Sequence, residues 1–146
     1  MGSVINASVR LREGLHFTAV ADSGRPIELD SPHEGKRDLA GPSPMETVLM
    51  ALSGCTAMDV ISILRKKRQP VTGLEVRAQG TRGDEYPKPY TEIELVYRCS
   101  GDVEPAALER AIELSRERYC PVWRMLGATV TIRYRYEIVP SLDEAN

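Results

Sequence analysis

Cys55, Cys99 and Cys120 are the residues of this 146-residue chain best suited to chemistry. They lie too far apart to form a C-x-x-C motif, so neither a zinc ribbon nor a thioredoxin-type centre is available. His16 and His33 are the two histidines, too few for a multi-histidine metal site and poor material for a Ser-His-Asp triad. The phosphate-cradling patterns G-x-G-x-x-G and G-x-x-x-x-G-K-[ST] do not occur in the sequence. What remains is the thiols, which are nucleophilic when ionised and can be oxidised to a sulfenic acid and then to a disulfide. An odd number of them points to thiol chemistry or inert burial, and away from a framework of structural cross-links.

Their surroundings differ. Cys55 sits among small residues in Ser53-Gly54-Cys55-Thr56-Ala57, which permit close approach by another element or a substrate. A cysteine on a buried helix nevertheless ordinarily packs as a small hydrophobe. Cys120 precedes Pro121 at a helix junction, where the free N–H groups of the following turn would favour a thiolate; a packed thiol and a reactive one stand level there. Asp59 follows Cys55 by four positions, on the same helix face, and its carboxylate would oppose ionisation of the thiol. A reactive Cys55 therefore needs a cation, for which Arg25 and Arg37 are candidates, although an arginine is ordinarily a solvated surface residue.

The elements that must hold these residues follow from periodicity. Val4 to Asp30 alternates short apolar stretches with turn signals at Glu13-Gly14 and Asp22-Ser23-Gly24-Arg25-Pro26, which predicts a three-stranded meander. Ser31 to Pro44 is a long, charged, turn-rich connection of the kind that is often functional or mobile. Ser43, Pro44 and Glu46 then form a helix start, with Ser43 as cap, Pro44 at the first position and Glu46 completing a capping box. The helix that follows is apolar on nearly every face, so it is expected to be central and surrounded. Arg65-Lys66-Lys67-Arg68 complement its dipole and Pro70 stops it.

Leu74 to Arg82 and Thr91 to Ser100 read as strands, the second with Ile93, Leu95, Tyr97 and Cys99 on one face, which turns Cys99 into the core. Pro105 to Tyr119 reads as an amphipathic helix with Ala107, Leu108, Ala111, Ile112, Leu114 and Ser115 inward. A helical turn after Cys120-Pro121 ends at Gly127, and Thr129 to Val139 forms a last alternating strand. The order βββ-α-ββ-α-β describes a single α+β domain over residues 1–146 with a largely antiparallel sheet.

Composition narrows the function classes. A net charge of -2 and eight aromatic residues (6 Tyr, 1 Trp, 1 Phe) give no electrostatic or stacking surface for nucleic acid. The longest apolar run, Met45 to Leu64, carries Glu46 and Asp59, which suits a buried helix better than a membrane span. MGSVINAS shows no secretory pattern, and a cytoplasmic location is the expectation.

Gly41-Pro42-Ser43-Pro44-Met45-Glu46, the apolar helix carrying Ser53-Gly54-Cys55, and Tyr119-Cys120-Pro121-Val122 together resemble the OsmC/Ohr family of thiol-dependent peroxidases. The likeness runs over nearly the whole chain and is nearer the less characterised OsmC-like branch. It implies an intertwined homodimer with two active sites and no cofactor. Cys55 would be the thiolate that attacks a hydroperoxide, organic more than hydrogen peroxide, and Cys120 the thiol that resolves the sulfenic acid to a disulfide. An external dithiol would then reduce the pair. In that scheme an arginine and a glutamate keep the attacking cysteine ionised, and Arg25 and Glu46 are the nearest positions here. Cys99 would be a core bystander. The competing expectation is a stress-associated dimer, sensing or binding, with little peroxide turnover.

Overall fold

A computed structural model of the chain describes residues 2–143. They form two compact units that divide between Val48 and Leu49. The first holds strands β1 (Ala7–Glu13), β2 (His16–Ala21) and β3 (Ile27–Leu29) as the expected antiparallel meander, in spatial order β1-β2-β3. Leu11 faces Phe17, and Phe17 faces Leu29. Gly14 makes the first turn at φ +56°, and a Cβ there would stand 2.5 Å from the His33 ring, so a side chain would be strained and would have to displace that ring.

The long connection after β3 is organised by one buried carboxylate. Asp30 accepts hydrogen bonds from the Ser31 N–H (2.8 Å) and the Ala40 N–H (3.1 Å), and Lys36 Nζ lies 3.6 Å away. The Asp30 N–H donates to the Pro42 carbonyl at 3.1 Å. These bonds close the loop at its base, and the Ala40 N–H, with the Ser31 N–H and Lys36, holds the Asp30 carboxyl below its ordinary range.

Helix α1 (Pro44–Lys66) begins as its sequence predicts. The Ser43 N–H donates to Glu46 Oε1 (2.9 Å) and the Glu46 N–H donates to Ser43 Oγ (3.2 Å), a reciprocal cap of which each half satisfies an otherwise orphaned donor. Its end is a Schellman turn: the Gln69 N–H donates to the Leu64 carbonyl and the Arg68 N–H to the Arg65 carbonyl, with Arg68 in the left-handed region at φ +57° where glycine is usual. Leu52, Thr56, Val60 and Leu64 form a fully buried stripe at four-residue spacing. The helix is not surrounded as its composition led us to expect. Met50 is 55% exposed and Met58 73%, because a single chain supplies cover to one side alone.

The second unit contains β4 (Val71–Arg82), β5 (Tyr90–Gly101) and β6 (Thr131–Val139), in spatial order β4-β5-β6. β4 and β5 form an antiparallel hairpin in which Leu74 faces Cys99 and Val76 faces Tyr97. β6 returns parallel to β5, with Leu95 beside Tyr134, so three of the four strand pairings of the two sheets are antiparallel and one is parallel. The parallel pairing requires a crossover, which is made by α2 (Pro105–Leu114), a π turn (Ser115–Tyr119) and α3 (Pro121–Leu126). Ile93, Leu95, Tyr97 and Cys99 are fully buried on one face of β5. On the other face Arg98 Nε bonds Glu137 Oε1 at 2.6 Å and its Nη1 reaches Glu75 at 3.3 Å, linking all three strands.

Candidate active site

The chain between α2 and α3 delivers the second cysteine. An uninterrupted α-helix to Tyr119 is what the apolar pattern predicts; instead, the helix widens into a π turn after Leu114. The turn closes where the Cys120 N–H donates to the Ser115 carbonyl at 2.8 Å, an i to i−5 bond, and Pro121 then starts α3. Single wide turns of this kind recur at functional sites because they re-aim the residues that follow.

Cys120 caps α3. Its Sγ accepts the Trp123 N–H at 3.3 Å, and its carbonyl accepts the Arg124 N–H at 3.1 Å. The side chain is 3% exposed. Behind it the Trp123 ring meets Tyr134 edge-on at 6.1 Å, and Tyr134 meets Tyr97 edge-on at 6.3 Å. Cys55, half-buried on α1, lies close enough to Cys120 to raise its pKa. Two thiols 65 positions apart in the chain are thus neighbours.

The two sulfurs are unequal. Burial pushes the Cys120 thiol up to about 12, the Trp123 N–H opposes this, and Cys55 and Asp59 add to the rise. The helix N-terminus does favour a thiolate, as its position suggests, but loss of solvation outweighs it. Cys120 therefore holds its proton at neutral pH and can offer an S–H toward Cys55. The third thiol, Cys99, is fully buried on β5 and pushed up by burial; it bonds weakly to the Ser100 carbonyl at 3.9 Å and has no part in the pair.

Beside the thiols runs a chain of buried hydroxyls. Tyr97 Oη and Thr56 Oγ1 are 2.8 Å apart, Thr56 Oγ1 and Ser115 Oγ are 2.8 Å apart, and Ser115 Oγ donates to Asp59 Oδ2 at 2.9 Å. Each hydroxyl has one hydrogen to give. Because Ser115 spends its hydrogen on the carboxylate, Thr56 must donate to Ser115 and Tyr97 to Thr56, so an ionised Asp59 sets the direction of the entire chain. Burial keeps Tyr97 protonated far above the neutral range, so its donor is always present. A cavity of about 360 Å³ opens beside Asp59, lined also by Ser62, Ile63, Leu114 and Tyr119, with Lys66 and Lys67 at its margin.

Of the residues singled out from sequence, the structure brings together Cys55, Cys120 and Asp59. Arg25 and Arg37 are exposed residues of the first unit, Arg25 in the turn after β2 and Arg37 in the loop closed by Asp30. Glu46, also in that unit, has its carboxylate engaged by the Ser43 N–H, which lowers its pKa. Tyr97 and Ser115 were legible as inward-facing residues and Thr56 as a small neighbour of Cys55, but not the three as a connected group, since 41 and 59 positions separate the bonded pairs. Among the described residues no group of three or more His, Cys, Asp or Glu could hold a metal ion.

A family model described as OsmC-like protein matches residues 33–135. Protein YhfA of Escherichia coli (strain K12) is 43% identical over 136 residues, which are 92% of this chain and 98% of that one. A solved structure described as a hypothetical protein from Aquifex aeolicus VF5 superimposes with a TM-score of 0.85 at 31% identity, covering 96% of this chain and 99% of that chain. At 12% identity, the organic hydroperoxide resistance protein OhrB of Bacillus subtilis shares the fold with a TM-score of 0.66, over 92% of this chain and 98% of its own.

Proposed function

The chain belongs to the OsmC-like family, and from that premise and the paired thiols we propose that it is a cytoplasmic, cofactor-free thiol peroxidase that reduces organic hydroperoxides. The observation that carries the reading is the closeness of the half-buried Cys55 to the buried Cys120, whose burial keeps it protonated. Such a pair has divided roles. The accessible Cys55 sulfur, as thiolate, attacks the terminal oxygen of the hydroperoxide; the S–O bond forms, the O–O bond breaks, and the alkoxide leaves as an alcohol after taking a proton. Cys55 is then a sulfenic acid. Cys120 attacks its sulfur, forming S–S and breaking S–O, and the displaced hydroxide takes the Cys120 proton to leave as water. An external dithiol returns the pair to the reduced state by exchange.

The functional unit in this reading is an intertwined homodimer. The apolar side chains that a single chain leaves open support it: Met50 and Met58 on α1, and Val9, Leu11 and Ile27 in the first unit. In the dimer Arg25 and Glu46 would be the residues that keep Cys55 ionised. The apolar neighbours of Cys55 along α1, Leu49, Leu52 and Met58, suit an alkyl substituent better than a charged one.

The test is consumption of cumene or t-butyl hydroperoxide by the reduced protein, compared with its Cys55→Ser variant. Wild type is expected to consume peroxide with loss of two titratable thiols, and the variant to lose on the order of a hundredfold or more in rate. Equal, slow consumption by both would leave the competing reading of a stress-associated dimer without turnover.

A further inference from the structure

Ser115 is the crossing point of two lines of hydrogen bonds. Its hydroxyl joins Asp59 to Thr56, the residue next to Cys55 on α1. Its main-chain carbonyl accepts the Cys120 N–H at 2.8 Å and so closes the π turn that presents Cys120. A continuous path of hydrogen bonds from the helix of Cys55 to the main chain of Cys120 therefore passes through one serine, and the orientation of that serine is set by a carboxylate.

A serine inside a helix has another option, because its hydroxyl can fold back onto the carbonyl four residues earlier. Here that acceptor would be Ala111, whose carbonyl already receives the Ser115 N–H. A bond to an ionised acceptor is roughly twice as strong as one between neutral groups, and it draws the hydroxyl away from its own helix. Thr56, Tyr97 and Ser115 are fully buried, so no water competes for these bonds. Asp59 itself is partly exposed and lines the adjoining cavity, so replacing it leaves the packed interior in place.

We infer that Asp59 is a positioning residue for disulfide closure: by fixing the Ser115 hydroxyl it holds the π turn against α1 and sets the approach of Cys120 to Cys55. The inference rests on the proposed dithiol chemistry and adds to it the residue that governs the second step. Closure joins the two sulfurs at about 2 Å. A displacement of even 1 Å from a productive geometry can cost on the order of a hundredfold in rate. Without Asp59 the serine turns back to Ala111, Thr56 loses its oriented acceptor, and the turn carrying Cys120 is no longer tied to the helix carrying Cys55.

Two measurements on wild type, Asp59→Ala and Asp59→Asn test this. The first is closure of the Cys55–Cys120 disulfide against oxidised dithiothreitol, in which two protein thiols become a disulfide as the cyclic reagent becomes a dithiol. The second is formation of the Cys55 sulfenic acid with t-butyl hydroperoxide, trapped with dimedone. Asp59→Ala should close roughly ten- to a hundredfold more slowly while sulfenic acid formation stays within about threefold of wild type. Asparagine keeps an oxygen that can accept from Ser115 but lacks the charge, so Asp59→Asn should recover part of the closure rate. The inference is overturned if Asp59→Ala closes as fast as wild type, if both steps slow equally, or if asparagine fails to rescue. A wild type that closes its disulfide yet consumes no peroxide would remove the peroxidase reading and leave the clamp standing, so the two failures are separable.

Discussion

Each unit of the molecule contains one aspartate that organises the chain around it, and the two do so in different ways. Asp30 is buried and satisfied by main-chain N–H groups from the two ends of its own loop, with Lys36 nearby. Its partners are fixed by local chain geometry and have nothing else to do. Asp59 is partly exposed and satisfied by a serine hydroxyl, behind which stand two more hydroxyls, Thr56 of α1 and Tyr97 of β5. A carboxylate held by backbone pins a shape. One held by a side-chain hydroxyl can transmit its orientation, because a hydroxyl has a choice of acceptors and each choice redirects the next group.

That contrast can be broken in three places. The largest effect on stability is expected from Ser115→Ala, which deletes the crossing point and leaves the buried Thr56 hydroxyl short of an acceptor. We expect a loss of about 1–3 kcal/mol in denaturant unfolding, together with slower disulfide closure. If closure is unaffected, Asp59 is as purely structural as Asp30. A smaller effect is expected from acid. The folded-state pKa of Asp30 is lowered, so its contribution is fully present above the ordinary carboxylate range and is lost as pH falls through the folded value. Thermal midpoints should therefore drop as the pH is taken below about 4, and Asp30→Asn should make that drop shallower without changing the closure rate at neutral pH. The smallest effect belongs to Cys99→Ala. Cys99 packs on β5 away from the pair, so the variant should lose about 1 kcal/mol or less of stability and still lose two thiols on mild oxidation of its remaining pair. Consumption of Cys99 in the wild type would show that the role of bystander has been given to the wrong cysteine.

Much of the frame was legible because its determinants are local. The Ser43–Glu46 box lies within one helical turn, and both of its hydrogen bonds form as the residue types require. The alternation of Ile93, Leu95, Tyr97 and Cys99 needs nothing beyond the two-residue period of a strand, and all four are buried. The misses have non-local causes. Whether an apolar helix is covered depends on what other chains supply, so the composition of α1 could not reveal that Met58 would stand open. The parallel return of β6 depends on the length of a crossover rather than on the strand itself. The π turn at Ser115–Tyr119 carries no pattern of its own, since its residues would equally suit an α-helix. The sequence left a packed and a reactive Cys120 level, because a helix N-terminus is visible in sequence and the depth of burial is not.

The 3% exposure of Cys120 also has a bearing on how an oxidised pair would be reopened. With Cys120 buried and Cys55 half-buried, a disulfide between them would be reached from the Cys55 side. In the proposed cycle an incoming reductant would meet it from the Cys55 side, and the mixed intermediate would form there. Oxidant and reductant would therefore share one door in that cycle, and the inner cysteine would meet neither.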